Sequence, residues 1–335
     1  MKAAVIEEQG PVENIRYRDW PDPVIGSDEV LVRVKACALN YLDLEVRRGM
    51  PGHPIETPWI SGGDAAGVVE AVGPEVTRAK PGDRVVLNPF GRDGMMGEEC
   101  QGGLAELAKV PQEQIIHIPA NVSFEQAAAL PVGYGTAHRM MFDRARVQPG
   151  ELVLILGAAG GVGLGCLQIA KEIGARTICV SSRAESLEQL TALGSDHVIN
   201  TSKEDFSRAA WKLSEKKGIE VCVNYIGGET WVPALRAMKP GGRVVTCGAS
   251  AGFDPQTDIR YIWTRELDIL GANGWTEDGI AWLLERIAAG ALEPVIDSVF
   301  PLSEIQEAQR KLEERRIFGK VVLQQLMQRV GDFGR

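Results

Sequence analysis

The chain has 335 residues, 24% charged and 44% hydrophobic, and a formal net charge of −9. This length favours two domains, and the negative charge argues against nucleic-acid binding. No apolar run reaches the roughly 18 residues that a membrane helix needs, so we expect no membrane insertion. The six cysteines are scattered without a CxxC pair, which favours free thiols in a reducing compartment and predicts a cytoplasmic protein.

The first 125 or so residues are predicted to be mainly β. Stretches such as MKAAVIEE and VLVRVKACAL alternate or run apolar at strand length, and proline and glycine separate them. From about residue 124 a helical stretch with a glycine interruption follows, FEQAAALPVGYGTAHRMMFD. Strands and helices then alternate as far as LDILGA, which predicts a parallel sheet with helices on both faces. The chain ends with a helix, a strand-like segment, a charged helix and a last strand, FGKVVLQQ.

A glycine-rich turn lies in the alternating part. Residues 150–171 indicate an apolar strand, a turn over 157–163 and a helix from Leu164. Backbone N–H groups and the dipole at a helix N-terminus attract phosphate, and glycines let a pyrophosphate approach the backbone. The strand before the turn and the β–α–β run after it favour a dinucleotide site over a tight turn without a ligand.

The end of the next strand bears on the type of cofactor. TICVSS ends in Ser181, Ser182 and Arg183, where an NAD site usually has an acidic residue for the ribose hydroxyls. An arginine there can bind a 2′-phosphate through two charge-assisted bonds, although Glu185 stands close by. The pattern favours NADPH over NADH.

The glycine-rich stretch resembles the signature of the zinc-free quinone oxidoreductase (ζ-crystallin-like) group of the medium-chain dehydrogenase/reductase superfamily. Phrases such as GGDAAGVVEAVG, KPGDRV, PVGYGTAHR and GKVVL extend the resemblance over nearly the whole chain. It implies an α/β protein with a GroES-like, mainly-β catalytic domain over 1–128 and a Rossmann doubly wound parallel-sheet domain over 129–275. Residues 276–335 would return to the catalytic domain, and the resemblance also implies a homodimer.

The resemblance permits a test for zinc. Alcohol-dehydrogenase members have zinc ligands at positions that hold Asn40, Gly63 and Val132 in this chain, and the region of their four-cysteine lobe offers only Cys100. Zinc needs three or four Cys, His or carboxylate ligands, so we expect no zinc. Hydride transfer would then favour an activated acceptor, such as an α,β-unsaturated carbonyl or a quinone, over alcohol oxidation.

Asn40, Tyr41 and Asp43, which follow the strand VLVRVKACAL, are candidate catalytic residues. By the resemblance this segment enters the substrate cleft, where Asn40 can donate to a carbonyl oxygen. Tyr41 can protonate an enolate or simply pack, and Asp43 can act in the cleft or cap a helix start. The tyrosine that several relatives have near Glu45 or Met50 is absent here, so the proton donor stays open and water is an alternative.

The resemblance also assigns cofactor contacts. Thr136, with Tyr134 beside it, matches a nicotinamide contact, and Gly248 and Ala249 match a loop beside the nicotinamide ribose. Lys320 matches a basic residue near the cofactor phosphates, with an exposed strand-end lysine as the alternative. Asn224 and Ile226 end a strand at the edge where doubly wound sheets bind ligands. The turn itself contributes Ala159, Gly160, Gly161, Val162 and Gly163.

The leading hypothesis is a zinc-independent, NADPH-dependent reductase of a small-molecule carbonyl compound (an enone or enoyl thioester) or of a quinone. An alcohol dehydrogenase is the alternative among enzymes. An NADPH-binding protein with little turnover is the alternative from another class, because the group includes lens structural proteins.

Overall fold

The computed structural model describes residues 1–49 and 55–325. Met50, near which several relatives have a tyrosine, lies outside the described residues. The chain forms two compact units. Unit 1 comprises residues 1–129, 296–316 and the chain from 320 onward, and unit 2 comprises residues 130–295 and 317–319.

Unit 1 is built on a largely antiparallel sheet of seven strands. Its described strands are β1 (Lys2–Ile6), β2 (Ile15–Asp19), β3 (Glu29–Ala38), β4 (Asp64–Val72), β5 (Arg84–Leu87), β6 (Phe90–Gly91), β7 (Gly94–Met95), β8 (Leu107–Pro111), β9 (Ile115–His117), β16 (Ile296–Pro301) and β17 (Lys320–Gln324). Its described α-helices are α1 (Tyr41–Arg48), α2 (Phe124–Ala128) and α10 (Ile305–Glu313). The strand order in the sheet is β16-β17-β3-β4-β5-β9, with β8 also paired to β3.

Strand β3 is the central strand of this sheet because it pairs antiparallel with β4, β8 and β17. Its residues alternate between buried and partly exposed over the first half of the strand and are buried at its end. Strand β17, from the far end of the chain, therefore completes the sheet beside β3.

Unit 2 contains a parallel sheet of six strands in the order β12-β11-β10-β13-β14-β15. The strands are β10 (Leu152–Leu156), β11 (Arg176–Ser181), β12 (His197–Asn200), β13 (Ile219–Val223), β14 (Met238–Thr246) and β15 (Asp268–Gly271). The α-helices are α3 (Thr136–His138), α4 (Gly161–Ile173), α5 (Ala184–Ala192), α6 (Phe206–Leu213), α7 (Trp231–Ala237), α8 (Arg260–Thr264) and α9 (Glu277–Ala288). This order reverses between β10 and β13, as in a doubly wound fold, and confirms the predicted fold class.

Two local features differ from the sequence prediction. The stretch from residue 124 is not one helix with an interruption: α2 is followed by π-helical turns over Leu130–Gly135 and Arg139–Arg144 on either side of α3. Helix α9, which the prediction assigned to the C-terminal return, lies in unit 2 because it packs on Leu130–Gly135, with Ile280 close to Gly135.

Candidate cofactor and substrate sites

The glycine-rich turn joins β10 to α4 at the carboxyl edge of the parallel sheet. Strand β10 is buried throughout, which anchors the turn, and the residues from Ala159 to Val162 are partly exposed. The first N–H groups of a helix have no partner within the helix, and the helix dipole adds positive potential there. The turn therefore presents backbone donors suited to a phosphate.

Two glycines of this turn are required by geometry. Gly157 has a φ of 69°, which side chains rarely adopt. A Cβ on Gly163 would lie 2.6 Å from Ala158 Cα and 2.7 Å from Gly157 O, so α4 can start this close to the turn only with glycine. This close packing is the role expected of the third glycine in a dinucleotide motif.

The next strand, β11, ends at Ser181, and Arg183 follows it as predicted. The Arg183 guanidinium donates to Ile317 O at 3.1 Å and lies 3.4 Å from Glu185 Oε2. Ser182 is exposed, and Ser181 Oγ accepts from the Arg183 N–H at 3.2 Å. The end of β11 thus has no acidic residue from Ser181 to Arg183, and the Arg183 guanidinium contacts the Ile317 carbonyl and the Glu185 carboxylate.

Asn224, just after β13, is held by three donors. Its Oδ1 accepts from Ile226 N, Gly227 N and Thr230 Oγ1, each at 3.1 Å. Its Nδ2 is buried and has no hydrogen-bond partner among the described residues. Because an unpaired buried donor is costly, such a group needs an explanation, and a ligand acceptor supplies one.

The other residues that we predict to contact the cofactor differ in how far they are buried. Tyr134 is fully buried, and its hydroxyl accepts from Val295 N at 3.0 Å and Gln168 Nε2 at 3.2 Å. These contacts give Tyr134 a packing role, and it is not part of the proposed cofactor site. Thr136 is also buried, whereas Gly248 is exposed with open space around it.

In unit 1 a buried polar cluster contains Asn40, Asp64 and Lys320, and we call it the Lys320 cluster. Lys320 Nζ donates to Asp64 Oδ2 at 3.0 Å and to Asn40 Oδ1, and Asn40 Nδ2 donates to Asp64 Oδ2 at 2.8 Å. Lys320 and Asp64 are 3% and 0% exposed. Lys320 is therefore not an exposed strand-end lysine, and its contacts with Asp64 and Asn40 take the place of the predicted phosphate contact within unit 1.

Sheet register brings the Lys320 cluster together. Ala38, at the end of β3, pairs with Asp64 on one side and with Val322 of β17 on the other. Asn40 follows β3 by two residues and so lies beside the first residue of both neighbouring strands. Lys320 donates to Oδ1 of Asn40, which fixes the amide so that Nδ2 faces the carboxylate.

Asp43 and Tyr41 begin helix α1. Asp43 Oδ2 accepts from Asn40 N at 2.8 Å, which is the helix-cap role left open above. The pKa of Asp43 is raised to about 6, mainly by burial and also by the nearby Asp64 carboxylate, while two backbone donors and Lys320 act in the opposite direction. Tyr41 Oη accepts from Arg315 Nε at 2.9 Å, and that guanidinium stacks on the ring.

Metal-ligating side chains are not grouped in the described parts of the chain. Over residues 1–49 and 55–325, no three His, Cys, Asp or Glu side chains are arranged to hold a metal ion. In the same residues, no helix is both long and apolar enough to cross a bilayer.

Two family models match the chain. The alcohol dehydrogenase GroES-like domain matches residues 26–120, and the zinc-binding dehydrogenase model matches residues 161–289. A synaptic vesicle membrane protein VAT-1 homolog of Rattus norvegicus is 32% identical over 96% of this chain and 84% of its own length. The chain belongs to the medium-chain dehydrogenase/reductase superfamily. A quinone oxidoreductase-like protein 2 homolog of Nematostella vectensis is 28% identical over 96% of this chain and 86% of its own length.

Further medium-chain relatives are named for different activities. An acryloyl-coenzyme A reductase of Metallosphaera sedula is 31% identical over 96% of this chain and 99% of its own. A solved structure of an NAD-dependent alcohol dehydrogenase is 37% identical, with a TM-score of 0.92 over 97% and 99% of the two chains. A crotonyl-CoA carboxylase/reductase in complex with NADP is 25% identical, with a TM-score of 0.89 over 97% and 94%. The chain is an oxidoreductase of this superfamily.

Sequence reasoning missed two residues of these sites. One is Asp64. A charged residue that opens an apolar strand signals a buried ion pair, and Lys320 opens β17 in the same way as Asp64 opens β4. Tyr225 lies between the two predicted residues Asn224 and Ile226 and was not considered. No pattern in the sequence marks its contact with the glycine-rich turn.

Proposed function

We propose that the chain is a zinc-independent, NADPH-dependent reductase of α,β-unsaturated carbonyl compounds, with quinones as further acceptors. The observation that carries the proposal is the Lys320 cluster, in which Asn40 occupies the position of a zinc ligand in metal-bearing relatives. Asn40 is held by a lysine and a carboxylate, and its amide provides a hydrogen-bond donor where those relatives have a metal ligand. Two relatives are named as an acryloyl-coenzyme A reductase and a crotonyl-CoA carboxylase/reductase, and this supports an enoyl substrate.

The proposed cofactor site uses residues of unit 2 only. The N–H groups at the start of α4 would hold the pyrophosphate, and Asn224 Nδ2 would donate to an acceptor on the cofactor. The lack of an acidic residue from Ser181 to Arg183 supports NADPH, with Arg183 turning from Glu185 to the 2′-phosphate. Bound NADPH would supply the hydride.

In unit 1, the proposed substrate contacts come from the Lys320 cluster. One N–H of the Asn40 amide donates to Asp64, and the second can donate to a carbonyl oxygen that gains negative charge. The ammonium of Lys320 carries a third N–H beyond the two bonds described, and its positive charge favours the same oxyanion. The proton that completes reduction comes from Tyr41 or from water.

Subunit assembly and location follow from other features. Strand β15 is an end strand of the six-stranded sheet, and Ile269 on it is 39% exposed. An unpaired strand edge is suited to pairing with its counterpart in a second copy, so we propose a homodimer. All six cysteines are free thiols, which supports the cytoplasm as the proposed location.

The test is NADPH oxidation by the purified, metal-analysed protein over quinones, enones, acryloyl-type thioesters and aldehydes. Turnover that is fastest with enoyl substrates and insensitive to a chelator supports the proposal. Bound stoichiometric zinc with oxidation of simple alcohols would establish the alcohol dehydrogenase alternative. Tight NADPH binding without turnover on any acceptor would establish a binding protein.

A further inference from the structure

Tyr225 lies at the reversal point of the parallel sheet, two residues after the end of β13. Its hydroxyl donates to Gly157 O at 2.6 Å, and the Gly163 N–H lies close to the phenolic oxygen. Gly157 is the first glycine of the turn and Gly163 the last. The phenol of Tyr225 therefore lies near both ends of the glycine-rich turn and is hydrogen-bonded to the first of them.

The position of this hydroxyl is defined on several sides. A Cβ atom added to Gly160 would lie 3.5 Å from the hydroxyl oxygen, and one added to Gly157 would lie 3.2 Å from it. The hydroxyl is therefore packed against the turn. The neighbouring Ile226 side chain also packs on Gly157. Burial raises the pKa of Tyr225 well above its usual value, so the hydroxyl keeps its proton at neutral pH.

The glycine-rich turn needs a hydrogen bond of this kind to fix its conformation. Glycine loses more backbone freedom on ordering than any other residue, and Gly157 has no side chain to fix its left-handed conformation. Within the turn the Gly157 carbonyl also accepts from Gly160 N at 3.1 Å. The Tyr225 hydroxyl adds a bond from outside the turn and links it to the rigid sheet.

We propose that Tyr225 is a positioning residue for dinucleotide binding: its hydroxyl holds the glycine-rich turn so that the N–H groups at the start of α4 stay directed at the pyrophosphate. This inference rests on the proposed cofactor site. The single proton of the hydroxyl is donated to Gly157 O, so Tyr225 acts through the turn and does not donate to phosphate itself.

The test compares NADPH dissociation constants of the full-length protein by cofactor fluorescence. Tyr225→Phe keeps the ring and removes only the oxygen. Loss of its bond to the turn should raise the dissociation constant roughly three- to tenfold. Because Tyr225 does not touch the reacting atoms, kcat at saturating NADPH should stay within roughly twofold of the wild type.

Ser214→Ala is the matched control. The Ser214 hydroxyl also donates to a carbonyl, Trp211 O at 2.9 Å, and accepts an N–H, Gly218 N at 3.0 Å, but it lies before β13 at the opposite edge of the sheet. Both variants should lower the thermal midpoint, and only Tyr225→Phe should weaken NADPH binding.

Unchanged or tighter NADPH binding by Tyr225→Phe, or equal weakening by Ser214→Ala, would overturn the inference while leaving the proposed function intact. A wild-type protein that binds neither NADPH nor NADH would overturn both.

Discussion

The Lys320 ammonium lies 3.0 Å from the Asp64 carboxylate, and both side chains are almost completely buried. Removing two charges from water is costly, and the cost is offset only when the charges are paired and hydrogen-bonded. Asn40 completes this pairing because it accepts from the lysine and donates to the carboxylate. The pair therefore sets the orientation of the amide that we propose as the substrate contact.

Lys320→Met should destabilise unit 1 strongly, by about 3–5 kcal/mol, because it leaves the Asp64 carboxylate buried without its cation. Urea unfolding monitored by circular dichroism measures the effect. Lys2→Met is the control, since Lys2 pairs with Asp19 at 2.9 Å in the same unit but on the surface. Its unfolding midpoint should hardly change, and an equal loss in both variants would contradict the buried-pair argument.

Asn40→Ala should reduce kcat by about 10²–10³ because it removes a donor to the developing oxyanion. The NADPH dissociation constant should stay at the wild-type value, since the proposed cofactor contacts lie in unit 2. Steady-state kinetics with an enone, together with fluorescence titration, separate the two quantities. Full turnover in this variant would remove Asn40 from the mechanism.

Asp43 should make stability depend on pH between about 4 and 6. Its pKa is raised to about 6 in the folded chain, against about 3.9 when unfolded, so the folded state retains the proton longer as pH rises. The free energy of unfolding should therefore fall across this window, by at most about 3 kcal/mol.

Asp43→Asn removes this titration and serves as the comparison. Its free energy of unfolding, relative to the wild type, should rise from pH 4 to pH 6 and then level off. Denaturant unfolding at several pH values checks this, and a difference that does not vary with pH would show that Asp43 ionises normally.

Ser181→Asp should shift preference from NADPH toward NADH by more than roughly tenfold in kcat/KM. The new carboxylate would accept from the ribose hydroxyls and repel a 2′-phosphate. Ser202→Asp, just after the next strand, is the control and should leave the ratio unchanged. If Ser181→Asp also leaves it unchanged, the assignment of Ser181 to Arg183 is wrong.

Asn224→Ala should weaken NADPH binding roughly tenfold because the unpaired Nδ2 donor is lost. Thr230→Val is the control, since Thr230 donates only to the oxygen side of this amide and to Gly227 O. It should cost stability without a comparable change in the dissociation constant measured by calorimetry. Comparable weakening in both would mean that Asn224 serves the loop alone.

Local patterns carried much of the prediction. The apolar run of β10, the glycines after it and the strand–helix alternation specify the doubly wound unit, because these features act through neighbours in sequence. Helix α9 lies in unit 2, whereas its residues were expected to return to the catalytic domain, because its amphipathic pattern shows that it packs but not on which unit.

The contacts that were missed all join distant segments. Lys320 meets Asp64 and Asn40 only through the pairing of β17 and β4 with β3, which no local pattern encodes. Tyr225 reaches the glycine-rich turn only because β13 lies beside β10 in the sheet. A tyrosine after a strand predicts packing, and its hydroxyl partners follow from the strand order.

Strand β17 lies beside β3 although almost the whole chain separates them, and this has a consequence for biosynthesis. A ribosome releases the central sheet of unit 2 before it has made Lys320, so the Rossmann sheet can form while unit 1 still lacks a strand. The Lys320 ammonium can reach the Asp64 carboxylate only after that. The proposed substrate contacts are therefore among the last parts of the molecule to be assembled during translation.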